Sequence, residues 1–142
     1  MIIREAKIED YADLHRINKD SLGYDYPVDK TRIKIEIILS LPTDKIFVAE
    51  IDNSAVGYIH LSVYECTYSD SLKNILAIAV TDAYQGMGVG RALLTAGENW
   101  ARENGCCGIR LVSGFNREEA HRFYDACGYQ LRKNQKNFIK WL

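Results

Sequence analysis

The hydrophobic positions near the start of the chain follow a helical period. Tyr11, Leu14 and Ile17 lie three residues apart among polar neighbours, after a strand-like stretch at Met1 to Lys7. Apolar residues at this spacing form one face of a helix. Glycine is a common helix terminator. The pattern therefore predicts a strand and then a helix, with acidic residues in its first turn, that ends at Gly23.

A second amphipathic stretch follows the loop GYDYP at residues 23–27. Ile33, Ile37 and Leu41 are spaced by four residues, which is also a helical spacing, and Pro42 comes directly after them. Proline cannot continue a helix interior, and aspartate is a favoured cap. We therefore expect a second helix that Asp29 caps and that ends at Pro42.

The period changes from helical to alternating at Lys45. The stretch IFVAEI is followed by the turn-forming residues at 52–54 and then by AVGYIHLSVYE, which predicts an antiparallel hairpin. The next apolar run, from Asn74 to Val80, has no alternation. A run of this kind is typical of a strand buried on both faces.

The second half of the chain returns to helical spacing. After the stretch QGMGVG at residues 85–90, a helix is predicted up to Gly105, with IRLVS as the next strand. Asn116 and Glu119 have the spacing of a capping box for another helix, which Gly128 ends. Its apolar face consists of Ala120, Phe123, Tyr124 and Cys127.

The last residues predict a closing hairpin, because YQLRK and KNFIKWL flank a turn near Asn134. The complete order is strand, two helices, three-strand meander, helix, strand, helix and hairpin. This order predicts the α/β class, with a mixed sheet that has helices on both faces.

Length and composition narrow the functional classes. The chain has 142 residues and a formal net charge of -1, so we expect one domain over residues 1–142 and neither a nucleic-acid nor a membrane-surface partner. The cysteines lack metal-site spacing, which predicts reduced thiols and no metal. The chain starts without a signal-like segment and has no run of 18 apolar residues, so the cytoplasm is the expected location.

The glycines at positions 86, 88 and 90 lie between a predicted strand and a predicted helix, where backbone N–H groups can bind an anion. They are one residue short of G-x-G-x-x-G, and the Walker pattern has no lysine here. A short loop of this kind can hold a pyrophosphate, with Arg91 adding positive charge. The alternative is that the glycines only permit close packing of helix and strand.

Two motifs together resemble the GNAT superfamily of acetyl-CoA-dependent N-acetyltransferases. The first is Q-x-x-G-x-G, formed by Gln85, Gly88 and Gly90, and the second is A-x-x-F-Y-x-x-x-G-Y, which starts at Ala120. The resemblance covers nearly the whole chain. It implies the acyl-CoA N-acyltransferase fold, with a mostly antiparallel central sheet.

The same resemblance implies where the cosubstrate acetyl-CoA binds. The loop amides would hold the pyrophosphate, the preceding strand would pair with the pantetheine arm, and the Val80 amide would donate to the thioester oxygen. The family usually has asparagine where this chain has Arg117, so either Asn116 or Arg117 contacts the cofactor. The implied cofactor-binding residues are Ile78, Ala79, Val80, Gln85, Gly86, Met87, Gly88, Val89, Gly90, Arg91, Asn116 and Arg117.

The resemblance also implies that Tyr124 protonates the departing thiolate, whereas a buried structural tyrosine is the plainer interpretation. The family often places a glutamate on the strand before the loop, and this strand has no acid. The general base is therefore open between Glu65, Asp70 and His121. Direct transfer in a ternary complex is expected, and a noncatalytic acyl-CoA-binding or sensing module is the alternative.

The acceptor is not identified by the sequence. By analogy with the family, Tyr24, Asp25 and Tyr26 would border the acceptor entrance, where aromatic and acidic groups suit a cationic amine. A polyamine, an aminoglycoside, an amino acid and a protein amine all agree with this composition. A homodimer is possible through the closing strand NFIKWL.

Overall fold

The computed structural model describes all residues from Met1 to Leu142. The chain divides into two compact units, Met1–Leu111 and Val112–Leu142. The first unit contains β1 (Ile2–Glu5), α1 (Tyr11–Leu22), α2 (Val28–Leu39), β2 (Asp44–Ile51), β3 (Ser54–Tyr64), β4 (Leu72–Val80), α3 (Val89–Glu103) and β5 (Gly108–Leu111). The second unit contains α4 (Glu118–Ala126).

The first unit is built on one five-stranded sheet with the strands in sequential order. Strands β1 to β4 pair antiparallel, and β5 alone pairs parallel, with β4. The β2–β3 hairpin turns at Asp52 and Asn53, whose φ angles of 50° and 63° suit the twist of a tight hairpin. The predicted mixed, mostly antiparallel sheet is confirmed.

Strand β4 changes partners halfway along its length. Its first part, Leu72–Ile75, pairs with β5, and Leu76 is then a bulge, because Ile75 and Ala77 oppose consecutive residues of β3. From Leu76 to Val80 no strand pairs with the edge of β4 that faces away from β3. We call this stretch the free edge of β4. It ends directly before the glycine loop.

Helices cover both faces of the sheet, as predicted. On one face α1 and α2 bury a cluster that includes Leu14, Ile17, Ile35, Val48 and Tyr58. On the other face α3 packs so closely that a Cβ on Gly97 would lie 2.9 Å from Leu61 Cδ2. Side chains at alternate positions of β3 therefore belong to opposite faces.

Both early helices begin at slightly different places from those predicted. Helix α2 starts at Val28 with Pro27 as its N-cap residue, so the prediction that Asp29 caps it is wrong. Proline presets the backbone angle for a helix start, and Asp29 lies inside the first turn. Glu9 and Asp10 lie in a 3-10 turn, Ile8–Asp10, just before α1.

A partly buried ion-pair network joins that turn to the sheet edge. The Arg4 guanidinium donates to both Asp10 carboxylate oxygens, at 2.8 and 2.9 Å, and to Glu50 on β2. Burial by itself would raise the pKa of Asp10, but the hydrogen bonds from Arg4 and from the Lys7 N–H hold it below its ordinary value of 3.8.

The second unit differs from its prediction in two places. Helix α4 starts at Glu118 with Arg117 as N-cap residue, so the predicted capping box of Asn116 with Glu119 is wrong. A turn closed by the Arg117 N–H and the Gly114 carbonyl, at 3.0 Å, moves the helix start past Asn116.

The predicted closing hairpin is also wrong, because residues 129–142 contain no strand. These residues have strand-like composition, but an isolated two-stranded hairpin is only marginally stable without a further strand or helix to pack on. No helix of the chain is long and apolar enough to cross a membrane.

We expect Asp10→Asn to lower the free energy of unfolding by about 1–3 kcal/mol at neutral pH, since it removes a charged hydrogen-bond partner from Arg4. The folded pKa of Asp10 is depressed, so its contribution is present above pH 3.8 and is lost as the pH falls further. Urea unfolding of wild type and variant at neutral and acidic pH should show the difference shrinking in acid.

Asp20→Asn, a change at an exposed residue of the following helix α1, is the matched control and should leave unfolding nearly unchanged at both pH values. An equal loss for Asp10→Asn in acid and at neutral pH would show that the carboxylate charge contributes nothing.

Candidate functional site

The glycine loop ends in a helix whose N-terminus has no capping side chain. Gly88 is the N-cap residue of α3, and the first intrahelical bond is from the Ala92 N–H to the Gly88 carbonyl, at 3.0 Å. The preceding N–H groups of Val89 and Gly90 therefore have no partner within the helix. Such groups, together with the helix dipole, bind anions.

Two glycines of the loop are required by backbone conformation and not by packing. Gly86 and Gly88 have φ angles of 76° and 84°, which side chains rarely adopt. A Cβ at either position would meet no atom within 4 Å, so the space above the loop is open. The prediction that glycines here permit close packing is wrong for these two residues.

Two side chains fix the end of β4 at the loop. The Gln85 side-chain amide donates to the Val80 carbonyl at 3.0 Å, and the Ser21 hydroxyl donates to the same oxygen at 3.4 Å. Gln85 also donates to Asp82, at 3.2 Å. The last turn of α1, the end of β4 and the loop are thus joined through one carbonyl group.

The direction of the main-chain groups follows from the pairing of β4 with β3. The Thr81 N–H donates to the Val56 carbonyl on β3 at 2.8 Å, and the Ala79 carbonyl also points at β3, 2.9 Å from where a Cβ on Gly57 would lie. Strand residues alternate in direction. The main-chain groups of Ile78 and Val80 therefore point to the free edge of β4.

The loop between α1 and α2 starts beside this same end of β4. Tyr24, three residues after Ser21, is 67% exposed, and its N–H donates to the Asn18 carbonyl at 2.9 Å. The Asn18 side chain accepts a hydrogen bond from the buried Tyr58 hydroxyl. The pKa of Tyr58 is raised to about 12, chiefly by burial; the Asn18 hydrogen bond opposes this shift and nearby Tyr24 adds to it.

All three residues predicted to border the acceptor entrance, Tyr24, Asp25 and Tyr26, are exposed. Sequence reasoning missed Asn18, Ser21 and Tyr58, which connect their loop to β4. The alternation of β3 carried a signal for Tyr58, because it is a polar-tipped residue at a buried position of the strand.

Tyr124 lies on α4 in the second unit. Its ring packs against Phe123 and Tyr129, with centroids 5.5 and 6.1 Å away. Burial raises the pKa of its hydroxyl, and the Arg117 charge opposes this. The hydroxyl therefore stays protonated at neutral pH, which a proton donor needs.

The predicted base candidates are dispersed. Glu65 and Asp70 are exposed and lie between the end of β3 and the start of β4, where Tyr64 opposes Leu72. This is the end of β4 opposite Val80, roughly 26 Å away at the rise of a strand. His121 is exposed in the second unit, and its Nε2 lies 2.9 Å from the Gly114 carbonyl. Asn116 and Arg117 are exposed beside it.

A groove of about 540 Å³ runs along α3 from Gly88 to Asn99, with Ile3 of β1 on its other side. It touches the glycine loop only at Gly88 and does not include the free edge of β4. The main-chain groups described above are therefore on a different surface from this groove.

Comparison with known proteins gives a family and two informative relatives. The family model described as acetyltransferase (GNAT) matches residues 11–129. An uncharacterized N-acetyltransferase of Methanocaldococcus jannaschii is 31% identical over 137 residues, covering 94% of this chain and 80% of the relative. An aminoglycoside N(6')-acetyltransferase type 1 of Stenotrophomonas maltophilia is 41% identical over 51 residues, or 36% and 33% of the two chains.

The fold has close structural neighbours. The solved structure of the aminoglycoside acetyltransferase AAC(6')-Iy, in complex with a bisubstrate analogue of CoA and acetylneamine, superposes with a TM-score of 0.86. The sequence identity is 19%, and the match covers 99% of this chain and 98% of that one. The family match over most of the chain and the Methanocaldococcus relative show that this protein belongs to the acetyltransferase (GNAT) family and is an N-acetyltransferase.

Proposed function

We propose that this enzyme transfers the acetyl group of acetyl-CoA directly to a primary amine in a ternary complex. The observation that carries the proposal is the free edge of β4, from Leu76 to Val80, which leads straight into a loop with free N–H groups. An extended ligand arm can add to such an edge as a further strand, while its phosphates bind at the helix N-terminus. Acetyl-CoA has both parts.

The cosubstrate would lie along these main-chain groups. The main-chain groups of Ile78 and Val80 would pair with the pantetheine arm, whereas those of Ala79, also predicted from the sequence to do so, point at β3. The loop residues Gly86 to Gly90 would hold the pyrophosphate with Arg91 beside them. Gln85 has a supporting role in this arrangement, because its amide is already bonded to the Val80 carbonyl. Asn116 or Arg117 would contact the cofactor from the second unit.

The reaction needs a donor to the thioester oxygen and a proton for the departing thiolate. The Val80 N–H, which points to the free edge, would stabilise the charge that develops on the oxygen. Tyr124 would then give its proton to the thiolate. Its raised pKa makes it a weaker acid, so the transfer costs more than for an ordinary phenol.

We propose a small-molecule amine as the acceptor, with a protein amine as the alternative. The exposed loop of Tyr24, Asp25 and Tyr26 offers two aromatic rings and a carboxylate beside the end of β4. These groups attract a cationic amine. The relatives that act on aminoglycosides support a small polycationic acceptor.

We propose that the chain acts as one acetyltransferase domain over residues 1–142. No metal takes part in the proposed steps, and no nucleic-acid or membrane partner is proposed. All four cysteines are free thiols, which suits a reducing compartment such as the cytoplasm.

We also propose that the enzyme is a homodimer in which the C-terminal segment packs on a second copy. Leu131, Phe138, Ile139, Trp141 and Leu142 are each at least 70% exposed. Together these side chains can bury several hundred Å² of surface on each copy. This is of the order of the roughly 800 Å² that each partner buries in a standard interface.

We expect Tyr124→Phe to lower kcat by about 10²-fold while acetyl-CoA affinity stays nearly unchanged, because only the proton donor is removed. Thiol release with an amine acceptor gives kcat, and calorimetric titration gives the affinity. Tyr68→Phe, at a tyrosine that is 84% exposed, is the control and should behave as wild type. Unchanged turnover of Tyr124→Phe would remove this residue from the mechanism.

The dimer can be tested by analytical ultracentrifugation over a range of protein concentrations. We expect the wild type to sediment as a dimer and the double variant Phe138→Asp, Trp141→Asp to sediment as a monomer, since charges disfavour apolar burial. Tyr68→Asp should remain dimeric. A wild type that is monomeric at every concentration would exclude the proposed interface.

A further inference from the structure

Acetyl transfer to an alkyl amine needs a group that takes a proton from the ammonium form. Such an amine has a pKa of about 10.4, so nearly all of it is protonated at neutral pH and cannot attack a thioester. No residue of β4 carries an acidic side chain, and Glu65 and Asp70 lie at the wrong end of the strand. A base from the first unit would therefore lie on another element.

His60 on β3 lies on the sheet face that borders the acceptor loop. It shares this face with Tyr58, two residues earlier, which contacts Asn18 of α1. His60 pairs with Ala77 of β4, and Gly57 pairs with Val80. Three residues of a strand separate the two pairs, which is roughly 10 Å along the strand.

The neighbouring side chains of β4 are small. Ala77 and Ala79, which have only methyl side chains, oppose His60 and Tyr58. Ala79 is buried in the cluster under α1 and α2, whereas Ala77 is partly buried and the His60 side chain keeps 12% of its surface exposed. One or two bridging waters can span the remaining gap.

The imidazole of His60 is oriented by a carboxylate. Its Nε2 lies 2.7 Å from Asp44 Oδ2, and the Thr43 hydroxyl donates to Asp44 Oδ1, also at 2.7 Å. An ionised carboxylate only accepts hydrogen bonds, so Nε2 carries the hydrogen of the neutral ring and Nδ1 keeps a free lone pair. Nδ1 has no hydrogen-bond partner in the protein, and it is not fully buried.

We propose that His60, held by Asp44, is the general base that takes a proton from the acceptor ammonium through water. This inference rests on the proposed function, since it assigns a residue to the acceptor half of that reaction. Asp44 is a positioning residue, which fixes the orientation and the tautomer of the ring.

The proton balance of the reaction assigns one proton to each group. The ammonium gives a proton through water to His60 Nδ1, and the neutral amine then forms its N–C bond with the thioester carbon. When the C–S bond breaks, the thiolate takes a proton from the Tyr124 hydroxyl, and the Tyr124 oxygen takes back the proton that leaves the new amide nitrogen. His60 releases its proton to solvent.

Few other charges face His60. The α2 residues that point to the sheet are Thr31, Ile35 and Ile38, and none is ionisable. On α1 the inward residues Leu14 and Ile17 are apolar, and His15 lies next to them with a buried Nδ1 that has no partner.

On the β4 side, the neighbouring strand β5 carries the cation Arg110. It is held by the Asn74 side-chain oxygen at 2.7 Å and lies over the Tyr64 ring. Asp44 is therefore the charged group in hydrogen-bond contact with the His60 ring.

The test compares His60→Gln, Asp44→Asn and His15→Gln with wild type. Thiol release is followed from about pH 6 to 10 with kanamycin, spermidine and lysine methyl ester as acceptors. We expect His60→Gln to lower kcat by about 10²-fold at neutral pH and to recover as the pH rises, because the amine then deprotonates by itself. Asp44→Asn should lower kcat by about 10-fold at neutral pH. His15→Gln should behave as wild type.

Two further measurements separate chemistry from folding. Acetyl-CoA affinity by calorimetry should be the same in wild type and His60→Gln, which shows that the variant is folded. Hydroxylamine is already neutral at pH 7, so His60→Gln should acetylate it as fast as wild type does.

Equal pH profiles for His60→Gln and wild type would overturn the assignment of His60. So would a drop in kcat of His60→Gln that is as large with hydroxylamine as with the alkyl amines. Wild type that releases thiol with none of the amines would instead overturn the proposed acetyl transfer to amines.

Discussion

The proposed active site depends on the missing strand partner along the second half of β4. The bulge at Leu76 separates a part that pairs with β5 from a part that does not. A free strand edge is normally a liability, because its main-chain groups invite pairing with another chain. We propose that in this N-acetyltransferase the same edge receives the extended cosubstrate.

The end of the free edge is held in place from three sides. The β3 hydrogen bonds fix the direction of each peptide group, and Gln85 and Ser21 both bond the Val80 carbonyl. With that carbonyl satisfied inside the protein, the N–H of Val80 is the group left to face a ligand. Preorganised donors of this kind act without reorganisation during the reaction.

Much of this arrangement could be predicted from the sequence. The apolar patterns indicated all five strands of the sheet and all four helices, because the spacing of apolar residues differs between helices and strands. The glycine loop was found because positive φ angles require glycine at Gly86 and Gly88. The resemblance of the two sequence motifs to the GNAT superfamily was confirmed by the match of residues 11–129 to the acetyltransferase (GNAT) family.

Features that depend on register or on long-range contacts could not be predicted. Glu65 was a reasonable base until the pairing of Tyr64 with Leu72 put it at the far end of β4. Lys73 is buried, with its ammonium 4.1 Å from the Trp100 ring centroid, a contact that joins residues far apart in sequence. The closing strand was predicted from composition alone, which does not supply a partner for it.

Calorimetric titration with acetyl-CoA tests the central claim most directly, with coenzyme A and a nicotinamide dinucleotide as controls. We predict a dissociation constant of about micromolar for acetyl-CoA, equivalent to roughly 8 kcal/mol, and no binding of the dinucleotide. Absence of acetyl-CoA binding, or equal binding of the dinucleotide, would contradict the claim that the free edge of β4 and the glycine loop form an acetyl-CoA site.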